Sequence, residues 1–219
     1  MLDLGCVLAG IIQILGPVTL LILWHKKTGA RFYPALIAYA VCFPVFIVGA
    51  GIRSGFPQDD PIAFYVPQGF LFGILEEGAK YLVLRFHLAS YDSTKDAVPY
   101  GIGHSCYELF ASGLSCFGLI GTGNAPSDIF LAGVYGTGGS VIGTVSLTIL
   151  IHYGIHTGRS KITLPAAILL HAVGNMGKGL LLECGLTEIA FALDLLLTAG
   201  ACYAAYRCRK AMEDPFADI

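Results

Sequence analysis

Long apolar runs alternate with short polar breaks along the whole chain. Seven of these runs are long enough to cross about 30 Å of hydrocarbon as α-helices. They lie near residues 4–24, 33–52, 62–85, 97–120, 128–156, 163–183 and 187–206. The pattern therefore predicts an all-α polytopic membrane bundle of about seven transmembrane helices, with residues 1–219 forming a single integral membrane domain.

Composition agrees with this pattern and narrows the possible partners. The chain is 55% hydrophobic and only 13% charged, whereas a soluble domain carries about 25% charged residues. The net charge of -2 gives no basic field for nucleic acid. The seven cysteines form no C-x-x-C pair, which argues against a zinc knuckle or a disulfide framework. Membrane lipids are the expected surroundings, and no nucleic-acid partner is expected.

Basic residues alternate between loops and predict the orientation of the bundle. They follow the first, third, fifth and seventh apolar runs, whereas acidic residues dominate after the second and sixth. Because basic loops stay in the cytoplasm, the N-terminus is predicted outside and the C-terminus inside. The basic loop residues are Lys26, Lys27, Arg31, Arg85, Lys95, Arg159, Lys161, Arg207, Arg209 and Lys210.

Ionisable and polar side chains interrupt four of the apolar runs. In the third, fourth and sixth runs two of these side chains stand four residues apart, so each such pair shares one helix face. These three pairs are Glu76 with Lys80, His104 with Glu108, and His171 with Asn175, while Glu77 and the pair His152 and His156 complete the set.

Counting residues from the predicted cytoplasmic ends places five of these side chains about 10–16 Å deep at 1.5 Å per residue. They are Glu76, Glu77, His104, Glu108 and His171. A charge at a helix centre costs roughly 2.5–3.5 kcal/mol on insertion, and ionisable residues at membrane depth usually mark a function. The shared depth therefore predicts one polar site in the cytoplasmic half of the bilayer. Structural roles stay open for two groups. Glu77 and Lys80, three residues apart, can form a self-neutralising pair, and His152 and His156 can serve as hydrogen-bonding partners between helices.

Two kinds of chemistry fit these residues. Glu76 and Glu77, held in low dielectric, can share a proton and activate water, with His171 and Asn175 donating to an oxyanion. Alternatively, histidine and carboxylate side chains can bind a divalent metal such as zinc with an open position. The ligands would then be His104, Glu108, His171 and His152, although the chain lacks an H-E-x-x-H motif.

Three short motifs, "EEGAK" (76–80), "GIGHSCYE" (101–108) and "LLHAVGN" (169–175), occur in that order. In this order they resemble a superfamily of intramembrane proteases. It unites CAAX prenyl endopeptidases and CPBP proteins, PrsW proteases, the YhfC family and the scaffold subunit of gamma-secretase. The second motif is most similar to the YhfC family. The third motif departs from that family, because it ends in Asn175 where YhfC and PrsW proteins tend to have Asp.

The resemblance implies an endopeptidase, of glutamic or metallo type, that cuts a membrane-anchored protein or peptide. It implies Glu76 and Glu77 as the water-activating pair. His104, His171 and Asn175 would polarise the scissile carbonyl, and Glu108 occupies a position where the family also has Glu. Lys80 and His152 are secondary candidates. The expected location is the prokaryotic cytoplasmic membrane.

Two other functions remain open from the sequence. His152 followed by His171 is similar to the pair of membrane histidines in the gamma-secretase scaffold, which favours a non-catalytic assembly role. A series of Glu and His side chains at membrane depth is also typical of proton-coupled transporters.

Overall fold

A computed structural model describes residues 4–121 and 126–213 of the chain. The described residues form seven α-helices, and no β-strand occurs among them. The predicted all-α fold is confirmed, and each predicted span coincides with one helix. The helices are α1 Leu4–Thr28, α2 Tyr33–Arg53, α3 Pro61–Leu82, α4 Thr94–Gly118, α5 Pro126–His156, α6 Ser160–Glu183 and α7 Thr187–Glu213, with a π-helical turn Val83–His87 after α3.

Five helices of the described chain are long and apolar enough to cross a membrane. They are α1, α2, residues Gly133–His156 of α5, α6 and α7. Helices α3 and α4 are not among them, since both carry the ionisable groups of the site. Their 22 and 25 residues still extend over about 33 and 37 Å at 1.5 Å per residue. The chain is therefore a polytopic membrane bundle in which α3 and α4 are the polar helices.

The first part of helix α4 is deeply buried, and the helix packs against α1, α2 and α5. Its residues from Asp96 to Ser105 are buried on every side. Two glycines make this close packing possible. A Cβ on Gly101 would lie 2.7 Å from the Val145 Cα of α5, and a Cβ on Gly103 would collide with the Ala35 backbone of α2. The glycines directly before His104 thus let α4 run through the interior of the bundle.

Helix α3 packs most extensively against α6, and small residues bring the two backbones together. A Cβ on Gly69 would lie 2.6 Å from the Ala172 carbonyl oxygen, and one on Gly73 would lie 2.8 Å from that of Ile168. Glycines four residues apart permit this kind of close helix approach in membranes. The contact positions the second half of α3, with Glu76 and Glu77, beside His171 of α6.

The start of α4 is anchored by the loop between α1 and α2. The buried Asp96 carboxylate accepts hydrogen bonds from the Arg31 backbone at 3.1 Å and from the Arg31 guanidinium at 2.9 Å. Trp24 at the end of α1 donates to the Lys95 carbonyl at 2.9 Å. These bonds fix the first turn of α4 and therefore the register in which His104 enters the bundle.

Candidate active site

Two carboxylates converge on one histidine between α3 and α4. His104 Nε2 lies 2.9 Å from Glu76 Oε2 and 3.3 Å from Glu108 Oε1. His104 and Glu108 are one helical turn apart, so both point the same way from α4. The donor atoms of all three residues lie within 4.8 Å of one another. We call these three residues the Glu–His–Glu cluster.

Helix α5 contributes one more contact to this cluster. The Ser140 hydroxyl donates a hydrogen bond of 2.8 Å to Glu108 Oε2. That bond holds the outer oxygen of the carboxylate, so Oε1 is directed at His104. Hydrogen bonds of this kind orient ligand and catalytic side chains and are part of a working site.

Glu77 makes different contacts from its neighbour Glu76. Its side chain is fully buried, and both of its oxygens accept from the equally buried Lys80 Nζ, at 2.9 and 2.8 Å. Successive residues on an α-helix point about 100° apart, which gives the two glutamates different partners. Glu77 and Lys80 form the self-neutralising pair that the sequence allowed. The structure does not bring Glu76 and Glu77 together as a proton-sharing pair.

His171 of α6 connects the two glutamates. Its Nδ1 lies 2.8 Å from Glu77 Oε1, and its Nε2 lies 3.8 Å from Glu76 Oε2. Because an ionised carboxylate can only accept a hydrogen bond, the proton belongs on Nδ1. The Glu77 carboxylate, paired with Lys80, therefore holds the Nδ1 proton and orients the ring, and Nε2 faces Glu76.

A polar cavity of about 290 Å³ opens at this point between α3, α4, α5, α6 and α7. A water molecule occupies about 30 Å³ in the liquid, so the cavity has room for several waters or for a peptide backbone. The ion pair of Lys178 and Asp194, 3.9 Å apart, lies on its wall. One side of the cavity is lined by Glu76, Glu108, Ser140, His171 and Asn175, and another by Gly136, Gly139 and Gly143 of α5.

A second cavity, of about 430 Å³, lies beside the first. It shares Asn175 and Lys178 with the first cavity and reaches Glu183 at the end of α6. Polar residues therefore line space both at the Glu–His–Glu cluster and at that end of the bundle.

The structure brings together most of the predicted site residues. Glu76, Glu77, Lys80, His104, Glu108 and His171 are linked by direct contacts. Asn175 lines the cavity one turn beyond His171.

His152 contacts Tyr91 and His156 rather than the Glu–His–Glu cluster. Its Nε2 lies 3.4 Å from the Tyr91 carbonyl oxygen, and its ring lies 4.3 Å from that of His156. Among the described residues, Glu76, His104 and Glu108 form a group that could hold a metal ion. The predicted ligands His152 and His171 are not part of this group.

Ser140 was not anticipated from the sequence. It lies in "GTGGSVIG", a run that draws attention only because of its glycines. A single serine in such a helix gives no periodic signal, and the contact with Glu108 joins residues that are 32 positions apart. Only the packing of α4 against α5 reveals it.

The donors of the Glu–His–Glu cluster fit a divalent metal such as zinc. Catalytic zinc sites use three protein ligands from histidine and carboxylate or thiolate groups and keep a fourth position open. The cluster offers one imidazole nitrogen and two carboxylates, and its carboxylates border the polar cavity. Ser140 supplies the hydrogen bond that typically supports a metal-binding carboxylate.

Comparisons with known proteins agree with this arrangement. A family model described as "YhfC intramembrane metalloprotease" matches residues 12–120, which include the Glu–His–Glu cluster. The chain is similar to the YhfC family over these residues. The chain is also 23% identical to the "Uncharacterized membrane protein YhfC" of Bacillus subtilis (strain 168), over 93% of this chain and 94% of that protein. No solved structure matches the chain.

The predicted resemblance to the YhfC family is thus confirmed, and the description of that family agrees with the membrane protease expected from the three motifs. The family match ends at residue 120, so His171 and Asn175 lie outside it. Their place in the site rests on the contact of His171 with Glu77 and on the shared cavity.

Proposed function

We propose that this protein is an intramembrane metallopeptidase that hydrolyses a peptide bond in a membrane-anchored protein or peptide. One observation carries the proposal. The Glu–His–Glu cluster borders a polar cavity beside a histidine whose ring is fixed by a buried ion pair. A purely structural ion-pair network would not require an open cavity at its centre. Partly accessible polar groups that converge on such a cavity are typical of catalytic and binding sites.

Glu76, His104 and Glu108 are the residues that would hold the metal. A zinc ion bound there supplies Lewis acidity and lowers the pKa of a bound water to about 7. His104 must be neutral at Nε2 to serve as a ligand, and each carboxylate supplies one oxygen.

His171 is the proton carrier of the proposed reaction. Glu77 holds its Nδ1 proton, so Nε2 is free to accept a proton from the attacking water. The same nitrogen then returns that proton to the amine nitrogen that leaves. Asn175, on the same face of α6, would donate its amide N–H to the peptide carbonyl oxygen. Lys80 neutralises Glu77 and therefore keeps this carboxylate in place as an acceptor.

The expected setting of the reaction follows from the charge pattern of the loops. We place the site in the cytoplasmic half of a prokaryotic cytoplasmic membrane, with lipids around the bundle and a membrane-anchored substrate. A glutamate-dependent reaction without metal uses the same side chains, with Glu76 in contact with both histidines. Metal analysis and chelation distinguish these two mechanisms.

Peptide cleavage in proteoliposomes tests the proposal. The purified protein is reconstituted with a library of single-span peptides, and cut sites are mapped by mass spectrometry. Glu76→Gln and His171→Ala should lower the cleavage rate by at least about 100-fold, the usual contribution of a positioned acid or base. Glu188→Gln, at an exposed position on α7, is the matched control and should cleave at the wild-type rate.

Cleavage that persists in both site variants would overturn the proposal. An assembly scaffold would instead bind a partner membrane protein equally well with and without Glu76→Gln. A proton-coupled carrier would show proton-dependent uptake into the same liposomes.

A further inference from the structure

The Glu–His–Glu cluster borders a second space on the side away from the polar cavity. This pocket, of about 200 Å³, lies between α2, α3 and α4 and is mainly apolar. Glu76 and Glu108 line both spaces, so the reactive side chains form the wall between them. Its other lining residues are Cys42, Val45, Phe46, Phe72, His104, Tyr107 and Ala111. We call it the aromatic pocket.

Packed rings form much of this pocket. The Tyr107 ring lies edge-on to that of Phe46 at 5.9 Å, and the Phe46 ring lies 6.5 Å from that of Phe72. Tyr39 and Phe43 support Tyr107 from behind, with ring centroids 5.7 and 6.5 Å away. Edge-to-face contacts at such distances stabilise aromatic clusters. The pocket is thus lined in large part by aromatic rings that pack on one another.

The size of the pocket selects the class of group that it can hold. A dry apolar cavity of about 150 Å³ is sufficient to bind one benzene molecule. The aromatic pocket, at about 200 Å³, therefore suits one ring or one branched aliphatic side chain. A long isoprenoid or acyl chain has more than twice as many carbons as benzene and would not fit as a whole.

The position of the pocket indicates which substrate side chain it would hold. A peptide whose main chain occupies the polar cavity would place its scissile carbonyl near Glu76 and Glu108. The side chain beside that bond must leave the main chain toward one side. The aromatic pocket begins at the same two carboxylates, so it is the apolar space within reach of that side chain.

We propose that the aromatic pocket binds one bulky apolar side chain, aromatic or branched aliphatic, next to the bond that is cut. This inference rests on the proposed peptidase function and adds the substrate class to it. The polar cavity would receive the main chain, and the pocket would set which residue is accepted beside the scissile bond. One methylene in a hydrophobic pocket changes selectivity by about 10- to 200-fold, so the preference should be measurable.

Cleavage profiles of pocket variants test this assignment. The library of single-span peptides described above carries every amino acid at the positions around the wild-type cut site. The wild-type enzyme should prefer Phe, Leu, Ile or Met over Ala at one of these positions by about 10-fold or more. Val45→Phe fills the pocket and should move the preference at that position to Ala, Ser and Gly. Phe46→Ala enlarges it and should raise the cleavage of Trp and Tyr peptides.

Val48→Phe is the matched control, because Val48 is an exposed residue on α2 that does not line the pocket. It should retain the wild-type profile. Thermal unfolding of each variant in detergent confirms that it is folded, and Phe46→Ala supports or overturns the assignment if Val45→Phe does not fold. Identical profiles for Val45→Phe, Phe46→Ala and Val48→Phe, or a wild-type enzyme without an apolar preference, would overturn the assignment while leaving the peptidase intact. A wild-type enzyme that cuts no peptide overturns the proposed function itself.

Discussion

At the scale of single residues, two adjacent glutamates have different roles because a helix directs them to different neighbours. Glu77 is fully buried, neutralised by Lys80 and bonded to His171, whereas Glu76 contacts His104 and borders both cavities. In the proposed reaction Glu77 is therefore a positioning residue, and Glu76 belongs to the Glu–His–Glu cluster. The motif "EEGAK" alone could not separate these roles, since the deciding partners lie 28 and 94 positions away.

The buried pair predicts a non-additive effect on stability. Lys80→Met leaves the Glu77 carboxylate with only His171 and should lower the free energy of unfolding by about 3 kcal/mol. Adding Glu77→Gln to Lys80→Met removes the unpaired charge and should restore part of that loss. Unfolding by heat or by denaturing detergent measures both.

Lys178→Met is the control, because Lys178 is half-exposed and its pair with Asp194 is long at 3.9 Å. Exposed pairs contribute only about 0–1 kcal/mol. If the double variant lost the sum of the two single effects, Glu77 and Lys80 would not be coupled as described.

At the scale of helices, the site depends on how closely α3 approaches α6. Gly69 and Gly73 face the α6 backbone, whereas Gly78 on the same helix has nothing within 4 Å of an added Cβ. The helices were predictable from their apolar runs, and their polar faces from the four-residue spacing. The glycines at helix contacts were not predictable, because a glycine-rich sequence does not show which glycine faces a neighbouring helix.

This difference between glycines gives a second prediction. Gly73→Ala should separate α3 from α6 and move Glu77 away from His171. A displacement of about 1 Å at a reacting group can lower a rate by about 100-fold, so peptide cleavage should fall by that order. Gly78→Ala, the same substitution on the same helix, should keep the wild-type rate. Equal rates for the two variants would show that the α3–α6 contact does not position the site.

At the scale of the whole molecule, the bundle brings residues from α3, α4, α5 and α6 to one place. The all-α fold and the convergence of Glu76, His104, Glu108 and His171 were predictable, since three polar faces with a common depth have only the bundle interior to occupy. Tertiary packing determines the other features, which are the contact of Ser140 with Glu108, the separate position of His152 and the aromatic pocket. A single sequence does not carry that information.

The orientation of the bundle remains a prediction that native cysteines can test. Cys184 is exposed in the turn between α6 and α7, on the predicted outer side. A membrane-impermeant maleimide should label it on intact cells. A cysteine introduced at the exposed position Lys210, on α7, should be labelled only after permeabilisation. The reverse pattern would invert the predicted N-out arrangement and move the site to the other half of the bilayer.

The metal content of the purified protein tests the central claim most directly. The Glu–His–Glu cluster should bind about one zinc or similar divalent ion per chain, as three-ligand catalytic sites do. Elemental analysis after zinc loading and desalting should therefore find the ion in the wild type and in His152→Ala, and little or none in the equally well folded His104→Ala. Equal metal content in the two histidine variants, or a wild type that retains no metal, would contradict the proposal of a metal centre at Glu76, His104 and Glu108.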